Sequence, residues 1–412
     1  MVAGINRIAM ISMHTSPVTQ AGTGDAGGLN VAVLGIAAEL AIRDVEVDLL
    51  TRAVDEPSSR RLLPGVTLHE LAAGPAGPLP KERLPQVTDE FGEAVARLAR
   101  ARDGGWDLMH AHYWLSGIAV LPVSLELRLP LVQSFHTIGA MKNALAAADA
   151  APEPEQRLRS ETFIASQADA IIAASSAEAT ALIDLAGAPA DRTWIVPPGV
   201  DLGLFSPRTE SSCEAIRLAL GLDPDKPIVV IAGRVQGLKG HDLAIRALSE
   251  LRAIRGWTPL LVVAGEVTPG DEAFADELVQ LAMELGVASD VRFVGALQRD
   301  ALADLLSAAA VTIMPSFSET FGLVALESAA SGTPVIAFRT GGLTDAVSEG
   351  VSGLLLGTRE PRHWATEIAI MIEDHDRRAA MSLTARTHAE RFTWATAAAS
   401  LLGIYAEVAG PG

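Results

Sequence analysis

Two carboxylates, Glu319 and Glu327, stand eight residues apart in the run Ser316-Phe317-Ser318-Glu319-Thr320-Phe321-Gly322-Leu323-Val324-Ala325-Leu326-Glu327. Residues 310–315 before it read as a buried strand, and Leu323 onward reads as a helix. A helix that begins there aims its unpaired N–H groups and the positive end of its dipole at an anion, and a diphosphate suits that position. Gly322 lets the backbone approach a ligand closely. Glu327, about a turn inside the helix, can accept both hydroxyls of a ribose, and Glu319 can bind hydroxyls of a transferred sugar. Alone, the two acids are equally well read as a solvated loop acid and an ordinary acid at a helix start, so they need company.

A basic pair supplies it. Residues 228–232 form a strand-like apolar run that leads into Gly233-Arg234-Val235-Gln236-Gly237-Leu238-Lys239-Gly240. Two cations five residues apart, on a glycine-containing loop at a strand's carboxyl end, suit a diphosphate leaving group that gains charge as a glycosidic bond breaks. Gly22-Thr23-Gly24-Asp25-Ala26-Gly27-Gly28-Leu29-Asn30 spells G-x-G-x-x-G, but the preceding strand ends near Met13, whereas the dinucleotide fingerprint follows its strand at once. It reads better as a phosphate cradle, with Gly28 allowing close approach and Asn30 adding a polar contact. His112-Tyr113-Trp114 and Phe135-His136-Thr137 each follow a strand, where a histidine can bind a sugar hydroxyl, shuttle a proton or serve the fold. Lys81 and Arg157 are unremarkable in isolation. Asp223-Pro224-Asp225 has the D-x-D form of a metal-holding pattern but precedes a strand, so it reads as a turn, and no metal site is expected.

These residues need elements to position them. Apolar runs at residues 8–13, 45–50, 66–71, 108–111, 131–135 and 170–173 alternate with helical patterns such as 30–43 and 89–101, which implies parallel sheet. A second series runs through 228–232, 260–264, 291–294, 311–314 and 335–337. The fold class is therefore α/β, with two Rossmann-like halves joined in the proline-containing stretch at residues 196–207. Facing halves of this kind would bring strand carboxyl ends to both walls of one cleft.

The 412 residues allow two large cores. A formal net charge of −18 argues against a nucleic-acid partner or an anionic membrane surface. The single cysteine, Cys213, fits a reducing compartment. Neither a spanning apolar stretch nor a signal peptide is read, so a cytoplasmic location and no integral membrane association are expected.

Gly27-Gly28, His136, Arg234, Lys239 and the Glu319 to Glu327 pair, in that order, resemble the retaining glycosyltransferases of the GT-B fold, carbohydrate-active family 4. The resemblance runs from Ile8 to about Tyr405. It implies domains at 1–203 for the acceptor and 204–388 for the nucleotide sugar, with a helix in 389–412 crossing back to the first. It implies a UDP-sugar donor, GlcNAc favoured over glucose, held by Gly27, Gly28, Arg234, Lys239, Glu319, Phe321, Gly322, Leu323 and Glu327. His136, Arg234, Lys239 and Glu319 would be the catalytic residues. The acceptor would be a small phosphorylated polyol, foremost 1L-myo-inositol 1-phosphate, against Asn30, Lys81, Tyr113, Thr137 and Arg157. No cofactor is expected beyond the donor substrate, and the oligomeric state stays open, a homodimer included. Ala32, Gln133-Ser134 and the alanine-rich stretch 144–154 depart from the family pattern near the acceptor wall. Other readings are a UDP-glucose transferase acting on a sugar phosphate or an unphosphorylated metabolite, and a two-lobed sugar-binding protein without turnover.

Overall fold

In the computed structural model, residues 4–145 and 152–410 are described, so part of the alanine-rich stretch lies outside them. The chain forms two compact units. The first holds β1 (Arg7–Ile11), β2 (Glu46–Arg52), β3 (Ser58–Leu63), β4 (Val66–Leu71), β5 (Leu108–His112), β6 (Leu131–Ser134), β7 (Ala170–Ala173) and β8 (Thr193–Ile195), in the order β3-β4-β2-β1-β5-β6-β7-β8. Among the described residues, only β3 runs antiparallel to its neighbour in this sheet. The second holds β9 (Ile228–Ala232), β10 (Leu260–Ala264), β11 (Val291–Gly295), β12 (Val311–Met314), β13 (Val335–Phe338) and β14 (Gly353–Leu356), all parallel in the order β11-β10-β9-β12-β13-β14.

Parallel strands are covered by helices on both faces, which is why they read as unbroken apolar runs. Alternate residues of β1 show it: Ile8 and Met10 enter one core, and Ala9 and Ile11 enter another on the opposite face. The expected strands are all present. Those not foreseen are β3, whose first four residues are exposed, and the short strands β8 and β14. The helices foreseen at 30–43 and 89–101 are Gly28–Ile42 and Thr88–Ala101. Asp223-Pro224-Asp225 is a turn, closed by the Asp225 N–H donating to Asp223 Oδ1 at 3.0 Å.

The first unit comprises residues 1–19, 28–199 and 394–412, and the second comprises 20–27 and 200–393. Relative to the bounds 1–203, 204–388 and 389–412, three short segments change sides. Val200 N–H donates to the Phe392 carbonyl at 3.0 Å and Arg386 to those of Leu202 and Phe205, which ties 200–203 and 389–393 into the second unit. The glycine-rich loop at 20–27 groups there because Glu266 N–H donates to the Gly22 carbonyl and Gln298 to the Gln20 side chain. Helix Trp394–Ala409 belongs to the first unit, where Tyr405 is fully buried. Among the described residues, no helix is long and apolar enough to cross a membrane.

Candidate functional site

Strand order decides where a ligand can sit. In an open parallel sheet the connections diverge at one point, leaving a crevice at the strand carboxyl ends. In the second unit that point lies between β9 and β12, and in the first between β1 and β5. The candidate residues gather at both.

At the β9–β12 crevice, Arg234 follows Gly233, and Lys239 ends a short 3-10 turn, Gly237–Lys239. The loop after β12 carries Glu319. Lys239 Nζ donates to Glu319 Oε1 at 2.6 Å, and Ser316 Oγ donates to the same oxygen at 2.9 Å. Arg234 Nη1 lies 3.4 Å from both Asp25 Oδ1 and the Gly24 carbonyl, so an acid of the glycine-rich loop faces the first cation. Gly265, just after β10, lets the backbone pass close to the loop that carries Arg234: at φ 154°, a Cβ there would stand 2.0 Å from the Gly233 carbonyl oxygen. Gly322 caps helix Leu323–Ala330 at φ 102°, and a Cβ on it would meet Leu343 Cδ2 at 2.6 Å. Phe321 is buried with its ring 6.0 Å from that of Phe392. Glu327 is 3% exposed, and its Oε1 is 2.9 Å from Arg299 Nη2. Arg299 in turn lies over the Phe205 ring at 4.8 Å. Sequence reasoning missed Arg299, which stands in no recognisable motif, and Asp25, which fills an unspecified position of the glycine-rich loop.

At the β1–β5 crevice, the centre is Tyr113, buried and held at φ 72° between β5 and helix Trp114–Leu127. Lys81 Nζ lies 5.2 Å and Arg157 Cζ 5.1 Å from its ring centre, and the His14 ring is 4.3 Å away. Arg157 Nη2 donates to Thr137 Oγ1 and to the Thr137 carbonyl, both at 3.0 Å. Asn30 Nδ2 donates to Thr15 Oγ1 at 3.1 Å and to the Ser16 carbonyl at 2.7 Å, beside His14. The foreseen residues Lys81, Tyr113, Thr137 and Arg157 thus form one cluster, and His14 links it to the Asn30 corner. The departure at Gln133 also bears on this cluster, since Gln133 Nε2 donates to the Tyr113 carbonyl at 3.3 Å.

Arg157 is 3% exposed and does not stand alone. Its Nε donates to Glu161 Oε1 at 2.7 Å and its Nη1 to Glu153 Oε2 at 2.8 Å, while Lys142 donates to Glu153 Oε1 at 2.8 Å. Burial works against its charge, but Tyr113, Glu161 and Glu153 outweigh it and hold its pKa above the usual value. Burial raises the pKa of Glu161, and Arg157 draws it back part of the way. Arg157 and Glu161 are an i, i+4 pair on helix Glu155–Gln167, a spacing visible in the sequence, whereas Glu153 reaches Arg157 from just before that helix. His14 was signalled only by its place just beyond β1.

His136 follows β6 with φ 60° and is half-buried. Burial lowers its pKa to about 4, so it is neutral near pH 7. Among the described residues, no group of three or more His, Cys, Asp or Glu side chains is arranged to hold a metal ion. The G-x-G-x-x-G at 22–27 serves no dinucleotide fold of the first unit, because residues 20–27 pack with the second.

Two family models cover the chain in succession: Glycosyltransferase Family 4 matches residues 26–204, and Glycosyl transferases group 1 matches 213–388. A D-inositol 3-phosphate glycosyltransferase of Acidothermus cellulolyticus is 43% identical, with 97% of this chain and 90% of the relative covered. The chain belongs to glycosyltransferase family 4. The Nocardia farcinica protein of the same name is 42% identical over 97% of this chain and 89% of its own. Among solved structures, sucrose-phosphate synthase from Thermosynechococcus elongatus superposes with a TM-score of 0.87 at 30% identity, covering 98% of each chain. Anabaena HepE in complex with UDP-glucose gives 0.77 at 23% identity, over 96% of this chain and 99% of that one, which speaks to the fold. The family 4 chain is thus a glycosyltransferase with the two Rossmann-like units of the GT-B class.

Proposed function

We propose that this glycosyltransferase moves a hexosyl unit, GlcNAc in preference to glucose, from a UDP-sugar to 1L-myo-inositol 1-phosphate, with retention at the anomeric carbon. The acceptor is the same compound as D-myo-inositol 3-phosphate, the substrate in the names of the 43% and 42% identical relatives. The observation that carries the reading is the pair of cations, Lys81 and Arg157, both against the Tyr113 ring, with Thr137 alongside. Two cations and two hydroxyls can hold a phosphate dianion by charge-assisted bonds. In the second unit, Arg234 and Lys239 would hold the diphosphate, Glu327 the ribose, and Glu319, with His136 of the first unit, the transferred sugar. Gly27, Gly28, Phe321, Gly322 and Leu323 would complete the donor contacts, and Asn30 those to the inositol ring.

The bond from the anomeric carbon to the diphosphate oxygen breaks, and a bond to the acceptor oxygen forms on the same face. The acceptor proton passes to the leaving phosphate, whose charge Arg234 and Lys239 offset. Glu319 accepts from Lys239 and Ser316, which suits holding hydroxyls better than nucleophilic attack. The reaction needs no cofactor beyond the donor, and the enzyme works in the cytoplasm.

The likeness to sucrose-phosphate synthase supports a second reading, a UDP-glucose enzyme acting on fructose 6-phosphate. Mass-spectrometric product detection separates them, with UDP-GlcNAc or UDP-glucose offered against inositol 1-phosphate, fructose 6-phosphate and free inositol. A GlcNAc-inositol phosphate product is expected. A glucosyl-fructose phosphate would replace the first reading with the second, and UDP release without either product would overturn both acceptors.

A further inference from the structure

Three histidines of the first unit stack at the carboxyl ends of β5 and β6. His110 and His112 share a face of β5 with ring centres 4.2 Å apart, and the His112 and His136 rings are 5.2 Å apart. His110 is fixed at both nitrogens: Nδ1 is 2.6 Å from the Tyr405 hydroxyl and Nε2 is 2.9 Å from Ser134 Oγ. His112 is 1% exposed; its Nδ1 lies 2.9 Å from His136 Nε2, and its own Nε2 is buried with no hydrogen-bond partner among the described residues.

One proton must lie between His112 Nδ1 and His136 Nε2, and two neutral arrangements supply it. If His136 donates, the proton of His112 sits on Nε2, a buried N–H with no acceptor. If His112 donates, only a lone pair is left at that nitrogen, and a buried orphan acceptor is the smaller penalty. Neither ring is charged near pH 7: burial, then His110 and His136, hold His112 well below the usual range, and burial brings His136 to about 4.

We propose that His112 is a positioning residue that donates from Nδ1 to His136 Nε2 and so locks His136 as the Nδ1–H tautomer, a hydrogen-bond donor to a sugar hydroxyl and not a base. The functional half of this rests on the reading above that His136 serves the transferred sugar. With Nε2 accepting from His112 and Nδ1 carrying the proton, His136 cannot take the acceptor proton, and that task falls to the leaving phosphate. Of the roles a histidine after β6 could fill, binding is chosen over proton transfer by a neighbour two strands' ends away in sequence and adjacent in space.

Long-range 1H–15N correlation of the histidine side chains in the intact protein, with His136 assigned by its loss in His136→Gln, reads the tautomer directly. A protonated Nδ1 and bare Nε2 are expected; the reverse overturns the proposal. Kinetics add a second test. His112→Asn keeps a donor at the Nδ1 position and should retain most of the wild-type kcat, whereas His112→Gln places its amide at the Nε2 end and should lose about tenfold, the scale of a lost positioning group. A role in packing alone would not favour Asn over Gln, so equal losses in the two variants overturn the positioning role. Normal turnover of His136→Ala would instead overturn the sugar-binding reading of His136 and leave the tautomer, read by resonance, as it stands.

Discussion

Lys239 Nζ and Glu319 Oε1 meet at 2.6 Å across two neighbouring loops, one following β9 and the other following β12. The two residues are far apart in sequence, and parallel pairing of β9 with β12 brings them together. The pair keeps the cation and the acid in place where a diphosphate and a sugar would lie. Lys239→Ala and Arg234→Ala should each lower kcat by roughly 10² or more if they offset the charge of the leaving group. Near-normal turnover in both variants would remove them from the catalytic set.

Lys81→Ala should raise the acceptor KM by roughly tenfold with the donor KM little changed, since it removes one charge-assisted contact to phosphate. An unchanged acceptor KM would point to an unphosphorylated acceptor.

Arg157→Ala should do something different. It leaves Glu161, 1% exposed, without its buried partner, and breaking such a pair costs about 3 kcal/mol or more. Chemical denaturation should show this as a lower midpoint, while Lys81→Ala, at a half-buried site, should leave the midpoint near wild type.

Gly322→Ala places a Cβ 2.6 Å from Leu343 Cδ2 at a backbone φ of 102°. The conformational cost alone is about 1–2 kcal/mol. A fall in stability together with a rise in donor KM is expected; a change in neither would mean that the loop relaxes without moving Glu319 or the helix start.

Stability should respond to pH from both sides. Burial depresses His110 to about 3, and it brings His136 and His241 to about 4, below the ordinary 6.5. The unfolded chain therefore binds more protons between those values, and stability present above pH 6.5 is lost as pH falls toward 4. Glu178 has the opposite sign. Its burial raises it to about 7 from 4.5, so stability present below pH 4.5 is lost as pH rises through 7. Glu178→Gln should match wild type near pH 4.5 and melt higher than wild type at pH 8; equal melting at both would show that Glu178 ionises freely in the folded protein.

Sequence alone determined the parallel α/β class, two halves, the glycosyltransferase resemblance and the loops that carry Arg234, Lys239, Glu319 and Glu327, because apolar strand runs and glycine-bearing loops leave local marks. It could not order the strands. Periodicity shows that a run is buried on both faces but not which run lies beside it, so the crevices between β9 and β12 and between β1 and β5 were decided by the sheets. The same holds for partners. Lys81 and Arg157, unremarkable by residue type and spacing and named for the acceptor only through the family resemblance, are brought together against Tyr113 by the fold, and His14 joins them across the β1–β5 gap. Arg299 on Glu327, Asp25 facing Arg234, and His136 against His112 depend on contacts between distant segments, which no local pattern encodes. Local chemistry is written in residue type and spacing; which of those residues can act on one another depends on long-range packing of the sheets.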